Sequence, residues 1–242
     1  CILELNCAGI KKGYLILRNY LDASQIAPLI KGTVLEGYTT LPDDMNVLRE
    51  QLLSDAEAIA ETAGKEPGIV PIDHHFNVKG IGTVILGCVH DGTIHKHDQV
   101  TVHPIGKTVQ IRSIQKHDDD VADAFSGDRV GLALKGIEAE ELDRGYVLSA
   151  SSEIVSRCEV SGKVTIIPYW PEPLKEQMVL YAGHWMQFLP CRVSSYSHGQ
   201  DWRSADITLT FERELVYQPG SQAVLHYLEG GKLRIVGTLH LS

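Results

Sequence analysis

No stretch of the 242 residues approaches the ~18 consecutive apolar residues that a membrane-crossing helix requires, so the chain reads as soluble and globular. Nor is there a surplus of cations: 22 Lys and Arg face 31 Asp and Glu, a formal net charge of −9. Indiscriminate nucleic-acid binding needs many Lys and Arg to displace counterions from phosphates; this balance disfavours it, and DNA is not expected as a partner. It leaves open one nucleic acid bound through a local patch. The five cysteines (Cys1, Cys7, Cys88, Cys158, Cys191) are odd in number and scattered, without a CxxC pair or a secretory signal ahead of them. A disulfide framework is therefore not expected, and a reduced cytoplasmic setting is.

Three further absences bear on chemistry. The phosphate cradle GxxxxGK[ST] is missing; Gly106-Lys107-Thr108 lacks the earlier Gly and lies between two apolar alternating runs, where a hairpin turn is expected. No Ser, Cys or carboxylate sits in a recognisable nucleophile motif beside the eleven histidines, which leaves a hydrolase with little support. His74-His75, His90, His95 and His97 have no partners at structural-metal spacing, so no metal site is expected. Asp118-Asp119-Asp120 reads as a solvated loop, and Trp170, Trp185 and Trp202 read as core aromatics before they read as a recognition surface. Low-complexity segments and short repeats are absent too.

The order of patterns that remains is informative. In residues 1–63 short apolar runs alternate with helical stretches, as in a βα architecture. Tyr14 to Leu17 reads as a buried parallel strand, and Asp22 with Gln25 as the N-cap pair of a helix kept short by Pro28. Thr33 to Tyr38 reads as the next strand. Asp43 and Asp44 open a helix whose apolar positions Met45, Leu48, Leu52, Ala56 and Ile59 recur every three or four residues until Gly64. A linker at 64–70 follows, with Pro67 and Gly68. The period then changes to alternation, punctuated by Gly, Asp and Pro, over 71–150, which reads as an antiparallel barrel or sandwich, and again over 151–242, which reads as a second all-β domain. The fold class read from pattern is mainly β, preceded by an α/β part. The chain opens at Cys1 rather than Met, so either a preceding segment or processing is expected.

Within 71–150 several features coincide in order. Phe76 precedes the Gly80-Ile81-Gly82 turn, a strand runs to Gly87, and Gly127-Asp128-Arg129-Val130-Gly131 follows; Lys135-Gly136-Ile137, Glu141, Arg144 and Gly145 close the series. Together they resemble domain II, the tRNA-binding barrel, of translational GTPases of the EF-Tu/SelB kind, with archaeal SelB-like factors nearest. More thinly, 153–242 resemble the third domain of these factors, through Pro190-Cys191-Arg192-Val193, Pro219-Gly220-Ser221 and Leu233 to Gly237. Residues 1–62 resemble the last third of a GTPase domain, so the resemblance implies a mainly β fold class, a partial α/β GTPase domain followed by two β-barrel domains.

The resemblance implies site residues. The guanine-reading loop Asn-Lys-x-Asp would be Asn19-Tyr20-Leu21-Asp22, with Asn19 and Asp22 as readers and Tyr20 in place of the Lys; Asp22 is equally well read as a plain helix cap. Tyr38-Thr39-Thr40 stands where the family has Ser-Ala, and no Asp-x-x-Gly for Mg²⁺ occurs in the α/β part, so these residues alone are not expected to hydrolyse GTP. GTP or GDP with Mg²⁺ is a cofactor only if a complete GTPase domain precedes Cys1. In the first barrel, the adenosine side of an aminoacyl-tRNA acceptor end falls on Val78, Gly80, Val84 and Gln115, and the esterified amino acid on Asp73, His74, Phe76, Leu86, His117 and Arg129. Gln115, Leu86 and Arg129 depart from EF-Tu, which has an acid, a Thr and an Asn, and imply a different, non-standard amino acid. Phe76, Val78, Val84 and Leu86 are equally well read as barrel core. The implied function is an elongation factor that escorts an aminoacyl-tRNA, with the ribosome as a further partner. The rival is a decayed paralogue that serves as a protein scaffold.

Overall fold

The computed structural model describes residues 2–58 and 67–242. The chain forms two compact units, residues 1–61 and 62–242. In the first, helix α1 (Ile2–Cys7) leads to strand β1 (Tyr14–Ile16), helix α2 (Ala23–Ile30), a 3₁₀ turn (Val34–Gly37), strand β2 (Thr39–Leu41) and helix α3 (Met45–Ala58). β1 and β2 pair in parallel. Asp22 caps α2 through a complete capping box with Gln25, as its spacing predicts. The segment Thr33 to Tyr38, expected as a strand, is instead the 3₁₀ turn. Thr33 Oγ1 accepts from the N–H of Leu35, and Asn6 Oδ1 accepts from that of Val34 at 3.0 Å, so local side-chain capping outcompetes the β-propensity of Val34 and Leu35. The strand begins only at Thr39. Asp44 caps α3, accepting from Asn46 N–H at 2.8 Å. Gly64, expected to stop this helix, lies outside the described residues.

The second unit contains both barrels. The strands of the first are β3 (Ile69–Val78), β4 (Gly82–Cys88), β5 (Thr93–His95), β6 (Gln99–His103), β7 (Lys107–Lys116), β8 (Asp119–Val121), β9 (Asp123–Phe125), β10 (Arg129–Lys135) and β11 (Val147–Ser149). The order β10-β4-β3-β11-β6-β7 closes through β7 pairing with β10; β8 extends β7, and β5 pairs β9 alongside. Ile69 and Val70, assigned by composition to the linker, are the first residues of β3 and are buried. Inward positions such as Ile72, Ile85, Ile111, Ile114 and Leu132 are wholly buried and make the core. Gly106 closes the β6–β7 hairpin turn expected there, its N–H bonded to Val102 O at 2.8 Å, and Lys107 and Thr108 begin β7. The second barrel closes in the order β12-β15-β14-β13-β16-β17, from β12 (Val155–Ile166), β13 (Val179–His184), β14 (Gln187–His198), β15 (Ser204–Tyr217), β16 (Gln222–His226) and β17 (Ile235–Leu241). Both barrels are six-stranded and mainly antiparallel, and closure removes the exposed edges on which open sheets aggregate.

The barrels meet over a small apolar cluster of Ile69, Val147, Ile154 and Val216, with Trp185 packed against it. Gly145 is required here: a Cβ at that position would lie 2.8 Å from Gln187 Cγ. Gln187 is buried and satisfied, donating to Val216 O at 2.6 Å and accepting from Val216 N–H at 2.9 Å. An Asp143–Arg213 ion pair spans the same seam. Trp185 sits between His90 of the first barrel and His184 of the second in tilted ring contacts, with centroids 5.2 and 4.4 Å away. Of the other tryptophans, Trp170 is buried and Trp202 lies beneath the Arg203 guanidinium at 4.1 Å.

His184 is 5% exposed and its Nδ1 donates to Gln222 O at 3.0 Å, while burial, aided by nearby His90, pushes its pKa down to about 4. The folded state therefore refuses a proton that the unfolded chain accepts near the ordinary value of ~6.5. The stability this contributes is fully present above ~6.5 and is lost as pH falls toward 4, roughly 2 kcal/mol by pH 5. Urea midpoints measured from pH 7 to pH 5 should fall in the natural chain and fall less in His184→Gln; equal pH dependence would contradict the assignment.

Candidate functional site

The outer face of the first barrel gathers most of the implied site. Along β4 the burial alternates, with Thr83, Ile85 and Gly87 inside and Val84, Leu86 and Cys88 outside. Three consecutive apolar residues, Val84 to Leu86, cannot declare their faces from pattern alone; register does. Leu86 pairs with His74 on one side and Gly131 on the other, and Gly131 pairs with Gln115, so His74, Leu86, Gly131 and Gln115 form one row across four strands. The next row is Phe76, Val84, Ala133 and Ser113. Directly paired residues share a face. Phe76 and Leu86 are 42% and 38% exposed, and Val78 and Val84 are half-buried, so none of the four belongs to the core.

The middle strand contributes only Gly131 and Ala133 to this face, so its small side chains make the floor of a groove walled by Phe76, Val84 and Leu86 on one side and Ser113 and Gln115 on the other. A Cβ on Gly131 would stand 3.6 Å from Leu86 Cδ2 and 4.0 Å from Gln115 Cβ, which measures how closely the two walls flank it. Gln115 is held by its own amide, Nε2 donating to Asp120 Oδ1 at 2.9 Å. Asp120 belongs to β8, so the acidic run expected as a loop is a hairpin. Its turn residues His117 and Asp118 both take positive φ, which leaves His117 exposed at the tip.

Two bulges re-aim charged side chains around this face, a common use of an inserted residue beside a site. Between Ile72 and His74 the register with β4 shifts by one, and Asp73 is the extra residue. Its carboxylate lies 3.1 Å from Arg144 and 3.2 Å from His74 Nδ1. Between Ile111 and Ser113 the register with β10 shifts likewise, and Arg112 is the extra residue, its Nη1 donating to Ile81 O at 2.9 Å. Neither bulge is signalled by the sequence, because a strand's alternation carries no mark of where one residue will be looped out. At the ends of the face, Gly80 takes φ 83° in the three-residue turn that joins β3 to β4. Arg129 is exposed and pairs with Cys88. Burial raises the Cys88 thiol and Arg129 partly opposes it. Asp128, next in line, is tied down away from the groove: burial pushes its carboxyl up, but the Phe125 N–H and Lys116 outweigh this and hold it below its ordinary value. All ten implied residues thus lie on this face or at its ends. Arg112 and Arg144 are the neighbours that sequence reasoning passed over.

In the first unit, Asn19 and Tyr20 both take positive φ and the Tyr20 side chain is fully exposed. Asp22 Oδ1 receives the N–H groups of Ser24 and Gln25 and the Ser24 hydroxyl, which lower its pKa. Capping is thus its visible occupation, and Oδ2 is left for any base. Tyr38 folds back over Gly13 and donates to Ile10 O at 2.8 Å. A cavity of about 590 Å³ lined by Lys11, Lys12, Tyr14 and Asp55 borders the starts of β1 and β2, with neither Asn19 nor Asp22 in its wall. The described residues of this unit contain no GxxxxGK[ST] loop. Among the described residues no three His, Cys, Asp or Glu side chains converge as metal ligands, and no helix is long and apolar enough to cross a membrane.

Residues 82–149 match the family described as elongation factor Tu domain 2. Over 128 residues the chain is 35% identical to the selenocysteine-specific elongation factor of Methanocaldococcus jannaschii, covering 52% of this chain and 27% of that protein. The crystal structure of translation elongation factor SelB from Methanococcus maripaludis, in its apo form, superposes with a TM-score of 0.84 at 20% identity, covering all of this chain and 60% of that one. The chain belongs to the EF-Tu/SelB family. The EF-Tu domain 2 match falls on the barrel that carries the groove, and the likeness to SelB extends the shared fold to the α/β unit and the second barrel. An uncharacterized protein of Methanocaldococcus jannaschii is 33% identical over 238 residues, 98% of this chain and 73% of its own length. The chain thus spans about a quarter of the selenocysteine-specific factor and 60% of SelB.

Proposed function

We propose that this protein is an elongation factor-like carrier whose first barrel binds the acceptor end of an aminoacyl-tRNA. The observation that supports this best is the exposed row of His74, Leu86, Gly131 and Gln115 beside Phe76 and Val84. Exposed apolar and aromatic side chains next to fixed polar groups are what a splayed, single-stranded end needs for stacking and hydrogen bonding. The terminal adenosine lies toward Val78, Gly80, Val84 and Gln115. The esterified amino acid lies toward Asp73, His74, Phe76, Leu86, His117 and Arg129. The kinship with selenocysteine-specific factors, together with Leu86, Gln115 and Arg129, favours a specialised amino acid. The protein shields the labile ester and carries out no chemistry with these residues; the ribosome is the destination. GTP would regulate release if a complete nucleotide domain is joined to the first unit. Micromolar protein should slow spontaneous hydrolysis of an aminoacyl-tRNA ester, and an unchanged rate would contradict the proposal.

A second reading, a scaffold without nucleotide control, is favoured by the exposed Tyr20 and by Tyr38 folded over Gly13. Saturable binding of a fluorescent GDP by the full-length protein would be incompatible with it.

A further inference from the structure

The groove has two chemically different ends. Toward Arg129 lie His74 and the Asp73–Arg144 pair, where the inserted Asp73 neutralises one cation. Toward the β3–β4 turn lie Arg112 on β7 and Lys135 on β10, on neighbouring strands just past the Ser113–Ala133 pair, with Lys79 in the turn. Several other cations of this barrel are ion-paired: Lys107 with Glu141, Lys116 with Asp128, Arg144 with Asp73. Arg112 and Lys135 are exposed, and among the described residues neither meets a carboxylate. In a chain with nine more acids than bases, two adjacent cations left without a carboxylate at the mouth of a groove call for an anion from outside. Arg112 is also pre-set: the bulge turns it outward, and its bond to Ile81 O fixes one nitrogen and leaves the others free to donate.

Resting on the acceptor-end reading of the same groove, we propose that Arg112 and Lys135 hold a backbone phosphodiester of the single-stranded end immediately before its last nucleoside. This gives the groove a direction. The chain enters over the β3–β4 turn, the last base lies on the Gly131–Ala133 floor, and the ester projects toward His74 and Arg129.

The test is the salt dependence of aminoacyl-tRNA binding by the full chain. Each phosphate neutralised on a single strand contributes about −0.7 to the slope of log K against log salt, so losing this one in Arg112→Gln with Lys135→Gln should flatten the slope by roughly 0.7. Arg112→Lys, which keeps the charge, should restore most of the Arg112 share. Lys135→Gln alone touches no bond of the fold and should flatten the slope by part of that amount, which separates loss of contact from loss of structure. If the natural protein binds and these variants keep its slope, the phosphate assignment is wrong. If the natural protein does not bind, the acceptor-end reading itself falls, and this inference with it.

Discussion

Gly131→Val should leave the first barrel folded and weaken aminoacyl-tRNA binding roughly tenfold to a hundredfold, the loss expected when one base can no longer stack at ~1–3 kcal/mol. The separation of the two effects follows from geometry. The added Cβ meets Leu86 Cδ2 and Gln115 Cβ at ordinary contact distances of 3.6 and 4.0 Å, and the backbone there does not take positive φ. A β-branched residue also suits an antiparallel strand better than glycine does, so the melting temperature should hold or rise slightly. What the substitution destroys is the floor: two methyl groups would stand in the groove between its walls. Retained affinity in a folded Gly131→Val protein would mean that the ligand does not lie on this face.

Gly237→Ala should do the opposite, destabilising the second barrel without touching the groove. Its Cβ would lie 2.1 Å from Thr165 O and 2.8 Å from Ile166 Cα, both backbone atoms with no rotamer to yield. The seam is doubly sensitive, because Gly162 on the facing strand would place a Cβ 2.0 Å from His240 O. β12 and β17 are the strands that close this barrel, so forcing them apart costs about 3 kcal/mol or more. For a unit of this size that corresponds to a fall in melting temperature of roughly 6–12 °C, readable by circular dichroism. A change within 2 °C, on the order of experimental scatter, would show that the seam relaxes easily.

The two glycines illustrate what a single sequence reveals. Alternation between Val155 and Leu241 marks the strands, and the glycine-punctuated order of 71–150 points to the first barrel and its family. That Gly131 is a floor and Gly237 a seam depends on which strands become neighbours, and nothing local to either residue records that. The same holds for the walls. Val84-Ile85-Leu86 is apolar throughout, so core and groove were equally readable until the pairing of Leu86 with His74 and Gly131 put it outside. The inserted residues Asp73 and Arg112 were invisible as bulges for the same reason, although Asp73 was drawn into the site by resemblance. In the α/β unit the capping box of Asp22 and Gln25 was legible because it is local. Thr33 to Tyr38 was misread because the Thr33 cap and the distant Asn6 side chain override strand propensity.

The central claim, that this groove shelters the aminoacylated 3′ end, is tested most directly by the half-life of an aminoacyl-tRNA ester titrated with the full chain, with Gly131→Val alongside. The expected result is a saturable lengthening of the half-life at micromolar protein that the variant shifts to at least about tenfold higher concentration. A half-life unchanged by the natural chain, or lengthened equally by both proteins, would contradict it.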